Sequence, residues 1–332
     1  MRCSRLQLGE AQTLVILGAG ASRGASFVGG ALYKPPLDID YFRLLAVSPA
    51  GRSQQARALL KYVRDNYSPT LDVSMESVFV ELQGAAEFYR DFKIDRGRIM
   101  GRPQRTIEHF YRVLPQILRH SITEDCSHHS RLAAALEPRD AVISLNYDCL
   151  IDSALKQHAG RKWDPAVGYG LRITRGASAW RDWGAGRAAS VPIRLLKLHG
   201  SLNWRDRKGR GLLAVVNPYD RASAKGVIVP PLGRKPVTEM PFKEVWTEAR
   251  VRLRAARRLI VIGYSLPAAD YLVRALLRAD LDPERVAELL VVDPSREVAA
   301  KFMELLHRAP RKVMTFQSFR EFAQYLPAVK GS

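Results

Sequence analysis

The spacing of apolar positions changes along the chain, and each change marks an element boundary. Leu14–Leu17 are apolar in succession and run straight into Gly18, Gly20 and Ser22. A short apolar run closed by glycines predicts a buried strand ending in a tight turn. The stretch from Arg23 to Gly30 is too Gly-rich for a long helix, so a short helical turn and a loop are expected. Pro35-Pro36 cannot sit in a central strand, and Asp38 and Asp40 precede Tyr41-Phe42 like a capped helix start. From there apolar residues recur at helical spacing: Ala56, Leu59, Leu60 and Val63, then Val78, Phe79, Leu82, Ala86 and Tyr89, then Phe110, Leu114, Ile117 and Leu118. A shorter helix is expected over 130–136. Residues 41–137 thus read as a mainly helical insertion without convincing strands.

At Asp140 the pattern reverts to short apolar runs. Strands are predicted over 141–145, 192–198, 212–216, 227–229, 259–262, 288–292 and 313–316. Helices are predicted over 150–157, 242–258, 271–277, 297–306 and 319–325. Pro230-Pro231 follows the fourth of these strands, and 160–190 shows no period and reads as loops or a weak hairpin. Strand and helix alternate in 1–40 and again in 138–332. That alternation predicts an α/β fold, a doubly wound, mostly parallel Rossmann-like sheet interrupted by the helical insertion.

Composition narrows the setting. Of 332 residues 47% are hydrophobic, enough for a proper core. No apolar run reaches the roughly 18 residues that span a bilayer. The start, MRCSRLQLGEAQ, lacks a signal-peptide core, so a cytoplasmic protein without membrane contact is expected. Cys3, Cys126 and Cys149 are far apart and form no C-x-x-C pair, so no metal site is expected. The net charge is +19, from 52 Lys and Arg against 33 Asp and Glu. This charge suits a polyanionic partner, either nucleic acid bound directly or an acidic protein surface, and equally an Arg-rich proteome. The basic runs at 96–105, 205–210 and 250–258 are scattered and form no tail.

Ligands of open α/β sheets bind beyond the carboxyl ends of the strands. The predicted ends present Gly18-Ala19-Gly20-Ala21-Ser22, Asn146-Tyr147-Asp148, His199-Gly200-Ser201, Gly263-Tyr264-Ser265 and Asp293. Glycines can cradle phosphate, and Asn, Asp and His supply hydrogen bonds and acid/base groups; all should converge on one edge. Each has a plainer alternative. The glycines can be simple turns, Asn146 and Asp148 can close Asx turns, His199 can be structural, Asp293 can cap a helix and Trp204 can be core. A dehydrogenase is disfavoured: Arg23 stands where G-x-G-x-x-G needs its third glycine, and Pro35-Pro36 replaces the strand expected before Asp38 or Asp40.

At these residues the chain resembles the sirtuin-like superfamily in its divergent bacterial branch. The matching segments are GAGAS at 18–22, SLNYDCLID at 144–152, KLHGSLNW at 197–204, GYSLPAAD at 263–270 and VVDP at 291–294. The resemblance implies NAD bound in an inverted Rossmann-like pocket. Gly18, Ala19, Gly20 and Ser22 would hold the phosphates. Asn146 would bind the nicotinamide ribose or orient a water, and Asp148 would lie near the nicotinamide amide. His199 would be the acid/base group, Gly263 and Ser265 would flank the phosphate and adenosine ribose, and Asp293 would accept from an adenosine-ribose hydroxyl. Three scattered cysteines cannot form the four-cysteine zinc site of the deacylases, and the proline–aspartate–phenylalanine–arginine loop has at best a loose counterpart at Asp38–Phe42. Divergent members without the zinc module resemble NAD-cleaving effectors of bacterial antiphage defence.

The expectation is therefore an NAD glycohydrolase, with NAD as substrate and Asn146 and His199 as catalytic residues. No sensor domain is recognisable, so control by a homo-oligomer, or by an ATPase or nucleic-acid-sensing partner, is expected. Two other readings stand beside it. One is a nucleotide-binding sensor or scaffold with a nucleic-acid-binding surface. The other is an NAD-dependent deacylase or ADP-ribosyltransferase, against which the missing cysteine quartet argues.

Overall fold

The computed structural model describes residues 12–91, 101–171, 192–207, 212–215, 227–228 and 241–328. The chain forms two compact units: Met1–Phe27 with Asp125–Ile228 and Val237–Ser332, and Val28–Glu124 with Val229–Pro236. Cys3, residues 172–190 of the aperiodic stretch, Pro230-Pro231 and the basic positions 96–100 and 208–210 lie outside the described residues.

The first unit is built on a six-stranded sheet. Its strands are β1 (Thr13–Leu17), β2 (Ala141–Ser144), β3 (Arg194–Lys197), β4 (Arg258–Ile262), β5 (Glu288–Val292) and β6 (Lys312–Phe316). Their order is β6-β5-β4-β1-β2-β3, and every neighbouring pair is parallel. This is the doubly wound order, whose direction of winding reverses between β1 and β4. β1, β2 and β4 are buried along their whole length. Strands covered on both faces carry continuous apolar runs instead of alternation, which is why TLVIL and RLIVI read clearly in the sequence. In register, Val15 lies between Val142 and Ile260.

The polar end of the sheet opposite the candidate site is tied by Asp140. Its Oδ1 accepts from the Thr13 N–H at 2.8 Å and its Oδ2 from the Glu137 N–H at 2.9 Å. Burial pushes its carboxyl up to about 6, against an ordinary value of 3.8. A raised folded-state value favours folding below the unfolded value, and this contribution is lost as pH rises through the folded one. Between about pH 4 and 6 the unfolding free energy should therefore fall by about 2 kcal/mol relative to Asp140→Asn, at 1.36 kcal/mol per unit. Urea titrations of both proteins across that window check it; parallel pH profiles would refute it.

Two of the strands expected from sequence stand apart from the parallel sheet. Leu212–Val215 pairs antiparallel with Trp204–Arg207, and Val227–Ile228 pairs antiparallel with Gly200–Ser201. Gly200 has φ +80°, and a Cβ there would lie 2.1 Å from the Val227 carbonyl oxygen, so this pairing requires glycine. Apolar runs of this length do not reveal which partner they take.

The second unit is helical, with helices Tyr41–Val47, Gln54–Asn66, Met75–Asp91 and Gly101–Ser121. Tyr41, Phe42, Phe79 and Phe110 form its centre, with the Phe79 and Phe110 ring centroids 3.9 Å apart. Ser53 caps the second helix by accepting from the Ala56 N–H. The boundaries expected at 41 and 137 fall instead at Val28 and Glu124. The helix Ser127–Ala135 belongs to the sheet unit, where it packs on the helix Leu150–His158. Its helical period resembles that of the insertion, so period alone could not separate them. Among the described residues no helix is long and apolar enough to cross a membrane.

Candidate functional site

The carboxyl ends of β1 and β4 meet at the point where the winding reverses. Gly18 N–H donates to the Ile262 carbonyl at 3.0 Å, Gly20 N–H to the Gly263 carbonyl at 2.9 Å, and Ala21 N–H to the Gly18 carbonyl at 2.9 Å. Backbone lies directly on backbone here. A Cβ on Gly18 would stand 2.4 Å from the Gly263 oxygen, and one on Gly20 would stand 2.6 Å from the Gly263 Cα. The glycines thus serve this contact between turns first, and the amides of Gly18 and Gly20, predicted to face phosphate, are bonded within the protein. The helix that follows is only Ala19–Arg23. Ala19 is the exposed residue of the turn, while Ser22 is buried.

Ser22, Asn146 and Asp148 come together as a buried cluster joining the β1 and β2 turns. Asn146 Nδ2 donates to the Gly18 carbonyl at 2.9 Å and to Ser22 Oγ at 3.1 Å. A carbonyl can only accept, so the amide orientation is set by this network. Its Oδ1, with no donor bound among the described residues, is left as an acceptor for a ligand or water. Ser22 Oγ donates to Asp148 Oδ2 at 2.7 Å, and Asp148 Oδ1 accepts from the Leu150 N–H at 3.1 Å. Both Asp148 oxygens therefore already hold protein donors, one of them in the Asx arrangement at a helix start. Its carboxylate braces the turn from within.

His199 lies in the turn two residues after β3 and is buried. Its Nε2 lies 3.6 Å from Asp270 Oδ1, within ion-pair range and longer than a hydrogen bond. Asp270 Oδ2 accepts from the Tyr264 hydroxyl at 3.1 Å. With Nε2–H directed at the carboxylate, Nδ1 becomes the basic edge of the ring. The Tyr147 ring lies beside it, with centroids 6.3 Å apart. Asp270 was not singled out from sequence; it only closed the GYSLPAAD segment.

Gly263 and Ser265 lie on the β4 turn. Gly263 has φ +59° and Leu266, not a glycine, has φ +55°. A left-handed residue other than glycine costs about 1–2 kcal/mol and persists only where its surroundings over-determine it. Ser265 is exposed. Asp293 ends β5, next to β4; it is half-buried, its Oδ1 accepts from the Ser295 N–H at 2.9 Å, and burial holds its carboxyl above the ordinary value. Glycine turns, Asn146 and Asp148 are thus bonded together, and His199 is joined to the β4 turn through Asp270. Ser265 and Asp293 share the same sheet edge without a bond to the others among the described residues.

Beneath the site runs a polar chain that sequence reading missed. Lys197 and Asp152 are wholly buried and 3.0 Å apart. Lys197 Nζ also donates to the Asp148 carbonyl. Tyr169 Oη donates to Asp152 Oδ1 at 2.5 Å and accepts from Asn203 Nδ2 at 3.2 Å. Ser201 Oγ donates to Asn203 Oδ1 at 2.6 Å and lies 3.7 Å from Cys149 Sγ. The serine proton is taken by Asn203, so the thiol donates to Ser201. Burial, reinforced by Asp152, pushes that thiol up to about 12, which keeps its proton in place. Burial opposes the Lys197 ammonium, but the Asp152 carboxylate outweighs it and raises the pKa above its ordinary value. One signal was legible: a lysine inside the apolar run PIRLLKL must find a partner once buried.

No protein-family model and no curated protein match the chain. Among solved structures it is similar to one described as "Structural Basis for the Mechanism and Regulation of Sir2 Enzymes", at 14% identity over 96% of this chain and 92% of that one, with a TM-score of 0.43. It is also similar to a "Crystal structure of a Sir2 homolog-NAD complex", at 14% identity over 96% and 90% of the two chains, with a TM-score of 0.45. A third, "Sir2-p53 peptide-NAD+", shares 16% identity over 96% and 92%, with a TM-score of 0.39.

Proposed function

We propose that this chain is an NAD glycohydrolase, releasing nicotinamide and ADP-ribose. The observation that carries the reading is the pair His199–Asp270, placed at the same sheet edge as an Asn146 whose amide protons are bonded and whose Oδ1 is left to accept. The motif resemblance over 18–22, 144–152, 197–204, 263–270 and 291–294 supports NAD as the substrate. Breaking the bond between nicotinamide and ribose builds an oxocarbenium-like carbon. The pyridinium is already cationic and leaves as neutral nicotinamide without a proton. Water adds to the anomeric carbon, and its proton passes to His199 Nδ1 and then to solvent. Asn146 Oδ1 orients that water or a ribose hydroxyl by accepting from it, and Asp270 holds the imidazole in place. NAD and water thus give ADP-ribose, nicotinamide and one proton.

A further part of the proposal is that the enzyme acts in antiphage defence by depleting NAD and is held inactive until it assembles. The assembly is with further copies of itself, or with an ATPase or nucleic-acid-sensing partner met through its basic surface. Purified protein incubated with NAD at a series of protein concentrations tests both parts. Nicotinamide and ADP-ribose should appear in equal amounts, and specific activity should rise with the sedimenting oligomer. No nicotinamide from any assembled species would sink the hydrolase, and a stable, fully active monomer would sink the control by assembly. Strongly salt-dependent nucleic-acid binding without turnover would favour the sensor reading instead.

A further inference from the structure

The turn bearing Asn146 and the turn bearing His199 are joined from below by side chains that cannot touch a ligand. Lys197 and Asp152 have no exposed side-chain surface, and Tyr169 is equally buried. Lys197 sits on β3 two residues before His199, and its Nζ grips the carbonyl of Asp148, two residues after Asn146. On the other side the Leu202 N–H donates to the Tyr147 carbonyl at 3.0 Å. The segment 146–148 is therefore held at two consecutive carbonyls by the segment that carries His199. Asp152 and Tyr169 hold the ammonium in register, and Asn203 carries the chain of hydrogen bonds back to the His199 turn.

We infer that Lys197, with Asp152 and Tyr169, forms a positioning strut that sets Asn146 against His199; this rests on the hydrolase reading of the site. Fold stability gives no reason to place ions here. A buried ion pair replaced by well-packed apolar residues of similar volume is often as stable or more so. An apolar pair, however, cannot hold a carbonyl. What the ammonium supplies is a single position for the 146–148 backbone, from which the Asn146 side chain springs. A misplacement of about 1 Å at a reacting group lowers turnover by about 10²-fold, so the strut acts on kcat and not on NAD binding.

The test compares the wild type with Lys197→Met/Asp152→Leu, which removes both charges together, and with Tyr169→Phe, which keeps the ring. Melting temperature, kcat and KM for NAD, and hydrogen exchange of 145–150 and 198–203 are measured on the full chain. The double variant should melt near the wild type, keep KM, lose about 10²-fold in kcat and exchange faster in those two segments only. Tyr169→Phe should shift kcat and exchange in the same direction by less. A merely structural role would lower melting temperature and kcat together and raise exchange across the whole sheet; that result, or wild-type kcat and exchange in the double variant, overturns the strut. If wild-type protein releases no nicotinamide, the hydrolase reading fails, and the exchange pattern alone decides the strut. If the double variant does not fold, Tyr169→Phe decides by the same readouts, and unchanged exchange there overturns it.

Discussion

His199→Ala should lower nicotinamide release by about 10²–10⁴-fold while changing NAD affinity little, the loss expected for removal of a general base. The residue is buried in the turn that follows β3, two residues beyond Lys197, so packing limits the orientations open to the imidazole. Asp270 Oδ1 lies 3.6 Å from Nε2, and Tyr264 fixes the second oxygen of that carboxylate. Such contacts are often long in a free enzyme and tighten around substrate. Asp270→Asn keeps the shape and removes the charge. It should therefore lower kcat by less than His199→Ala does and leave KM in place, the pattern of a residue that acts through another. Initial rates of nicotinamide release, with NAD binding followed by calorimetry, measure both. Full turnover in His199→Ala would overturn the assignment of the base. An Asp270→Asn enzyme that weakens only KM would overturn the role of Asp270.

The second large effect is expected at Gly263→Ala, which should destabilise the sheet unit by about 2–5 kcal/mol. Two causes add. The residue has φ +59°, where a side chain costs about 1–2 kcal/mol. The new Cβ would also lie 2.3 Å from Ala21 N and 2.3 Å from Gly20 C. Both are main-chain atoms, so no flexible side chain can give way, and overpacking of this kind costs about 1–3 kcal/mol. The relief available is to part the β1 and β4 turns, which breaks the bond from Gly20 N–H to the Gly263 carbonyl and with it the floor of the proposed NAD site. Urea denaturation and NAD titration of the variant measure the two consequences. Gly84→Ala is the contrast: it lies in a helix with nothing within 4 Å of the new methyl and should stabilise its unit by about 0.5–1 kcal/mol. A Gly263→Ala protein as stable as wild type would refute the close-contact account.

Much of the placement of the candidate residues was legible because they lie where strands end. TLVIL–GAG and RLIVI–GYS change from apolar to glycine within one residue, and the structure ends β1 and β4 at those points; β2 ends at Ser144, one residue before the apolar Leu145 at which the expected strand closed. What those residues do was less legible. The glycines are bonded turn to turn, and Ser22 and Asp148 are turned inward to each other. A local pattern shows that a turn must be small or polar; it does not show whether the turn faces a ligand or a neighbouring turn. Lys197 was visible as an ion in an apolar run, but its partner Asp152 lies on another element. Asp270 carried no signal apart from ending a motif.

The sequence by itself determined the class of the sheet, the strands of its core and the polar residues at their carboxyl ends. These follow from apolar period and glycine placement, which act within a few residues. Only the tertiary structure decided the order β6-β5-β4-β1-β2-β3, the boundary of the helical unit at Glu124, the pairing of His199 with Asp270 and the buried ion pair of Lys197 with Asp152. The physical reason is range. Strand neighbours, register and buried ion pairs are set by how separate elements pack, and a contact of 3 or 4 Å between them leaves no trace in the spacing of either one.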